Sequence, residues 1–156
     1  MILDVHSHTW RYPDHFNDTF RRQTIRMRGY EVDMSTEFSK YLDTAQQANG
    51  SLRTVVFGGK ARLSGLWIPD LYVADYCKQD HDKMVPFLSV DPTQDGWHEE
   101  MIEGHRDLGM KGIKLLPMYA GFYPQDTMLD DLWMYASQHT LPVLLHTGTT
   151  FVDQAP

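Results

Sequence analysis

Two histidines stand one residue apart near the start of the chain, in MILDVHSHTW, and a third lies far downstream, in LPVLLHTG. Alternate residues of a β-strand share a face. His6 and His8 are therefore expected to project together, with Asp4 below them on that face and Ser7 turned away. Neutral imidazoles set side by side make a poor core but good ligands for a divalent metal such as zinc. In isolation the pair also reads as two surface histidines at a frayed terminus, so the elements that carry them must decide.

Five short apolar runs, at residues 2–6, 53–57, 84–90, 112–116 and 142–146, have the β-branched and leucine-rich character of strands covered on both faces. Helical spacing lies between them. Ser35 can cap a helix that buries Phe38, Leu42 and Ala45, with Gly50 as its stop. Pro69 suits a first turn, with Leu71, Ala74, Tyr76 and Cys77 following. Trp97, Met101, His105 and Leu108 share a helical face that ends at Gly109. Asp126 or Thr127 can cap another helix, with Leu129, Leu132, Trp133 and Ala136 on its buried side. After the first unit the strands recur about every 30 residues, the βαβ period. That order predicts parallel strands with helices outside, and ligand sites at the carboxyl ends of the strands. His8 and His146 both fall at that rim, which favours the metal reading.

Strand parity extends the site. In GIKLL, Ile113 and Leu115 face the helices and Lys114 points inward; in PVLLH, Val143 and Leu145 face outward and His146 inward. An inward lysine is costly unless paired or modified, and a salt bridge to an interior carboxylate is expected for Lys114 ahead of a metal-bridging role. The segment 9–34 carries Arg11, Arg21, Arg22, Arg26 and Arg28. Guanidinium forks suit carboxylates, which points to an anionic substrate, although a solvated amphipathic helix over residues 14–28 accounts for most of these arginines. Lys60 and Arg62, in GGKARLSG, are further candidates for substrate binding, and the spacing there is not that of a phosphate loop. Tyr119, Phe122 and Tyr123 in PMYAGFYPQD can wall an apolar substrate or cap the fold. His15, His81, His98 and His105 are expected in solvent, and His139 near a helix C-terminus.

At 156 residues, 42% hydrophobic and 22% charged, the sequence fits one ordinary globular domain. A net charge of −7 argues against a nucleic-acid partner. The single cysteine, Cys77, suits a reducing compartment. No apolar run approaches membrane-spanning length and no signal-peptide pattern opens the chain, so a cytoplasmic location is expected.

DVHSH, GMKGIKLLPMY and LPVLLHTG, with SVDPT after the third strand, together resemble the amidohydrolase superfamily over residues 2–150. The likeness is to its amidohydrolase-related branch of metal-dependent hydrolases and nonoxidative decarboxylases of carboxylated substrates. The resemblance implies a (β/α)8 TIM-type barrel with metal ligands, commonly zinc, at His6, His8 and His146. It also implies a possible carbamylated lysine near Lys114, which the decarboxylase-like branch does not require. Residues 1–156 would then be the first five β/α units of an incomplete barrel. The family's catalytic histidine and aspartate from later strands would lie beyond residue 156, as in a fragment or a catalytically silent metal-binding chain. Hydrolysis is the nominal activity and decarboxylation its near rival. D-x-H-x-H also opens certain deoxyribonucleases and phosphoesterases, but the first carry glutamate where Lys114 stands and the second carry histidines that TVVFGG lacks. Five strands in sequential order cannot close, so open edges and possible homo-oligomerisation are expected.

Overall fold

The computed structural model describes residues 1–151. Strand β1 (Ile2–His8) is followed by helices α1 (Asp18–Arg28) and α2 (Phe38–Gln47), then β2 (Leu52–Phe57). A short hairpin, β3 (Lys60–Ala61) and β4 (Leu66–Trp67), precedes α3 (Asp70–Cys77), β5 (Met84–Ser89) and α4 (Trp97–Arg106). The chain continues through β6 (Ile113–Leu115), α5 (Pro117–Ala120), α6 (Asp130–Gln138) and β7 (Val143–Leu145). The five long-range strands form one parallel sheet in the order β1-β2-β5-β6-β7, so each expected strand is present and takes its sequential place. The hairpin, a small antiparallel sheet of its own, is not legible from periodicity; strands of two residues carry none.

The sheet divides the apolar residues into two layers. Its outer face packs Val56, Leu88, Ile113 and Leu115 against Val73, Met101 and Leu132 of the helices. Its inner face holds Val55, Phe57 and Phe87, with Val85 and Leu144 beside them. Parity therefore holds for Ile113, Leu115, Val143 and Leu145, which all join the outer layer. The inner layer is incomplete, and Leu3 and Val5 remain 53% and 52% exposed. Both outermost strands, β1 and β7, have one side without a neighbour among the described residues.

Parity fails on β1. Asp4 pairs with Thr54 but Ser7 pairs with Val56, so a β-bulge places three steps of β1 against two of β2. Asp4 lands on the outer face, where its carboxylate accepts hydrogen bonds from the His6 N–H at 2.9 Å and the Ser7 hydroxyl at 2.8 Å. It does not lie below the histidines, and Ser7 turns towards it. The bulge keeps His6 and His8 on the inner face with Phe57.

Several helix details differ from the periodic reading. Helix α1 starts at an Asn17 cap that accepts from the Phe20 N–H, and ends at Gly29 with φ of 83°. Ser35 does not cap α2; its hydroxyl accepts from the Tyr12 N–H, and Glu37 precedes the helix. Leu42 and Leu71 are exposed, whereas Ala45 on α2 and Ala74, Tyr76 and Cys77 on α3 are buried as expected, with Asp70 and Val73 beside them. A 3-10 turn over Thr127–Leu129 separates Asp126 from α6, and Asp126 accepts instead from the Tyr123 N–H.

Candidate metal centre and substrate pocket

The rim of the sheet gathers the three histidines on one cavity of about 190 Å³. His6 and His8 come from the end of β1, with ring centroids 5.3 Å apart. His8 Nδ1 lies 3.0 Å from the Gly58 carbonyl, which can only accept, so Nδ1 carries the proton and Nε2 holds the lone pair. This is how proteins orient a ligating imidazole. The Phe57 edge, 4.6 Å away, and the stacked Trp10, 4.7 Å away, fix the ring plane. Residue 58 must be glycine for this approach, since a Cβ there would sit 2.6 Å from Ile68 Cβ. Burial pushes the His8 imidazole down to about 3, against the opposing effect of the Gly58 bond. Burial, with the charges of Lys114 and His146, also lowers His6, against Asp4. Both are neutral and able to ligate at pH 7.

His146 follows β7, held by a hydrogen bond from its backbone N–H to the Leu115 carbonyl at 3.0 Å. Its ring meets Tyr119 edge-on at 5.2 Å, and its Nε2 is buried with no hydrogen-bond partner. Such an orphaned nitrogen is costly unless something outside the protein satisfies it. The donor set thus fits a divalent ion in chemistry: three imidazoles on one cavity, one pre-oriented and one unsatisfied. Among the described residues no three His, Cys, Asp or Glu side chains are already gathered around a common point.

Lys114 points inward, as strand parity requires, and is fully buried. The expected salt bridge is not made. Its Nζ has no hydrogen-bond partner and lies 4.7 Å from the centre of the Phe57 ring. Among the described residues the inner face offers it no carboxylate: Asp4, which precedes the bulge, lies on the other side. Burial pushes the amine down to about 8.

Of the residues read as substrate-binding, the structure brings only Tyr119 to the cavity. Lys60 is instead buried in an ion pair, with Asp70 and Glu100 each 2.8 Å from its Nζ. Burial opposes its charge, but the two carboxylates hold the ammonium above its ordinary range. Arg62 stacks over Trp67 at 3.8 Å, and Arg11 faces Asp14 and Tyr72, both away from the histidines. Arg28 is the arginine that reaches the cavity, from the last turn of α1. In the sequence it is one of five arginines between residues 9 and 34, with no signal to set it apart. Trp10, Phe16, Phe20, Met34 and Leu66 complete a largely aromatic wall. The hairpin supplies Leu66, and its docking on the start of α1 through the Phe16–Leu66 bridge likewise has no signature in the sequence.

A curled parallel sheet with helices on its convex side and histidines at the carboxyl rim is part of a (β/α)8 barrel, here its first five β/α units. A family model described as Amidohydrolase matches residues 3–156, and the chain belongs to that family. No curated protein matches the sequence. Among solved structures, it is similar to a 5-carboxyvanillate decarboxylase from Novosphingobium aromaticivorans with bound manganese and 3-methoxy-4-hydroxy-5-nitrobenzoic acid. That likeness has 15% identity and a TM-score of 0.69, covering 96% of this chain and 51% of the other. The 5-carboxyvanillate decarboxylase of Sphingomonas paucimobilis gives 11% identity and a TM-score of 0.70, covering 93% and 51%. An uncharacterised TIM-barrel protein of Bordetella bronchiseptica gives 20% and 0.66, covering 98% and 57%. The chain therefore spans about half the length of these structures.

Proposed function

We propose that this chain forms the metal-binding half of a site for nonoxidative decarboxylation of a small aromatic carboxylate. The observation that carries the reading is the pairing of an orphaned His146 Nε2 with a His8 ring locked by Gly58, on an aromatic-walled cavity. His6, His8 and His146 would hold the ion. Imidazole nitrogens suit zinc, while manganese is the ion in the Novosphingobium neighbour. When bound, a divalent ion there supplies Lewis-acid polarisation of a substrate oxygen.

The remaining roles belong to side chains. Gly58 keeps the proton on His8 Nδ1. Tyr119 and the facing aromatic side chains stack on a flat ring and keep water off it. Lys114 Nζ, below the histidines and without a counter-ion, adds positive potential that attracts a carboxylate to the rim. Arg28 adds a second cation at the mouth. Asp4 acts indirectly, holding the bulge that aims His6.

Hydrolysis is the second reading, favoured by the exposure of His6, through which water reaches the ligand set. Residues 1–156 act as one domain in the cytoplasm on this reading, and the open sheet edges support self-association, which sedimentation measures. Among the described residues no helix is long and apolar enough to cross a membrane.

The test is product analysis with benzene carboxylates and lactones, with and without a chelator. Carbon dioxide release that a chelator abolishes and metal restores supports decarboxylation. Chelator-sensitive ring opening supports hydrolysis, and turnover indifferent to the chelator refutes both. His8→Ala and His146→Ala should each remove the bound ion.

A further inference from the structure

On the outside of the sheet, α4 and α6 bring a second histidine pair together. His105, half-buried on α4, and His139, exposed at the end of α6, have ring centroids 5.0 Å apart with planes inclined at 59°. Tyr135 lies against both, with its hydroxyl 2.9 Å from His105 Nδ1 and its ring 4.3 Å from His139. On an outer helix His105 is expected in solvent; the structure gives it partners. None of the three residues lines the cavity at the barrel mouth.

We propose that His105 and His139 form a separate site for a late first-row transition-metal ion, copper(II) or zinc(II), bridging α4 and α6. A zinc–nitrogen bond of 2.0–2.1 Å plus a ring radius of about 1.1 Å puts each centroid about 3.2 Å from the ion. The observed 5.0 Å separation then subtends about 100° at the ion, near the tetrahedral value. The Tyr135 hydroxyl can accept from His105 Nδ1–H, the direction that a bound ion would select. With Nδ1–H donating to the Tyr135 oxygen, Nε2 is left as the ligating lone pair.

The charges facing the pair are Lys111 and Arg106. Together with burial, the largest cause, and His139, they lower the proton affinity of His105. They keep the imidazole neutral but disfavour a weakly coordinated dication. Selectivity should therefore follow imidazole preference, with copper tighter than zinc and magnesium not held. Two protein ligands leave the other positions to water. An ion here ties together the helices on either side of β6, the strand that carries Lys114.

The test uses the full 156-residue chain, titrated calorimetrically with copper(II), zinc(II) and magnesium(II), beside His139→Ala, His139→Gln, Tyr135→Phe and His8→Ala. The wild type should take up one more equivalent of copper or zinc than either His139 variant, and His8→Ala should keep that equivalent. Saturation at a hundredfold excess over Kd should raise the wild-type Tm by roughly 5–10 °C relative to His139→Gln. Tyr135→Phe should weaken this ion by about 10–100-fold. Equal stoichiometry in the wild type and both His139 variants overturns the proposal. If the wild type binds a single ion that the His139 variants lose, this site stands and the assignment of His6, His8 and His146 falls.

Discussion

Replacing Lys60 by methionine removes the cation from a buried cluster and leaves its carboxylate behind. Lys60 and Asp70 side chains are only 5% and 6% exposed. Without the ammonium, Asp70 keeps a single hydrogen-bond donor, the Ser89 N–H at 2.9 Å. Glu100 is 40% exposed and can turn to water. The cost therefore falls on Asp70, and breaking a buried pair from one side is worth about 3–5 kcal/mol. With a urea m-value of about 2 kcal/mol/M, the unfolding midpoint should drop by roughly 2 M. The double variant Lys60→Met/Asp70→Asn removes both charges, and the asparagine oxygen still accepts from Ser89. Its cost should shrink to about 1–2 kcal/mol, the range of a lost hydrogen bond. Urea unfolding at pH 7, followed by far-UV circular dichroism, gives both numbers. A single-variant loss below about 1 kcal/mol, or a double variant as unstable as the single, refutes the reasoning. Normal stability with lost affinity for a carboxylate ligand would return Lys60 to the substrate-binding role its sequence context suggests.

Lys114→Met should stabilise the chain by about 3 kcal/mol at pH 7, since a buried amine moved from 10.5 to about 8 carries that penalty while charged. The folded protein loses this proton first, so wild-type stability rises between about pH 8 and 10.5 and the gap to the variant closes; a pH-independent gap contradicts this origin. Gly58→Ala should cost about 1–3 kcal/mol through its clash with Ile68, and should weaken metal uptake as the carbonyl leaves His8. Thermal melts and metal titration of that variant provide the check. Burial pushes the Cys77 thiol up to about 12, so it should not react with a disulfide reagent at pH 8 unless urea is added.

The barrel order is legible in the sequence because each buried strand is a continuous apolar run and each helix repeats its apolar residues at helical spacing. The inward direction of Lys114 and His146 comes from a period of two. Helix faces shift where neighbours decide burial: Leu42 and Leu71 fit their periodic patterns yet remain exposed. The substrate residues are the least legible. Lys60 and Arg62 are cations in and beside a two-residue strand, and Arg28 is one at a helix end. Only packing determines that Asp70 captures the first and Trp67 the second, while the third reaches the cavity. Asp4 escapes the period-two reading because a bulge adds one residue without any mark in the composition.

That extra residue makes the histidine motif conditional on the strand before it. Val5 and His6 together stand opposite the single residue Val55. Paired evenly, without the bulge, DVHSH would set His6 opposite Val56 and Ser7 opposite Phe57, turning both histidines to the outer face. Deleting Val5 would abolish the bulge yet keep the pair inward, with Ser7 still opposite Val56 and His8 opposite Phe57. The same five letters therefore encode either an inward pair or an outward one, depending on one residue of phase. For this half-barrel the bulge, rather than the composition of the strand, points the site into the cavity.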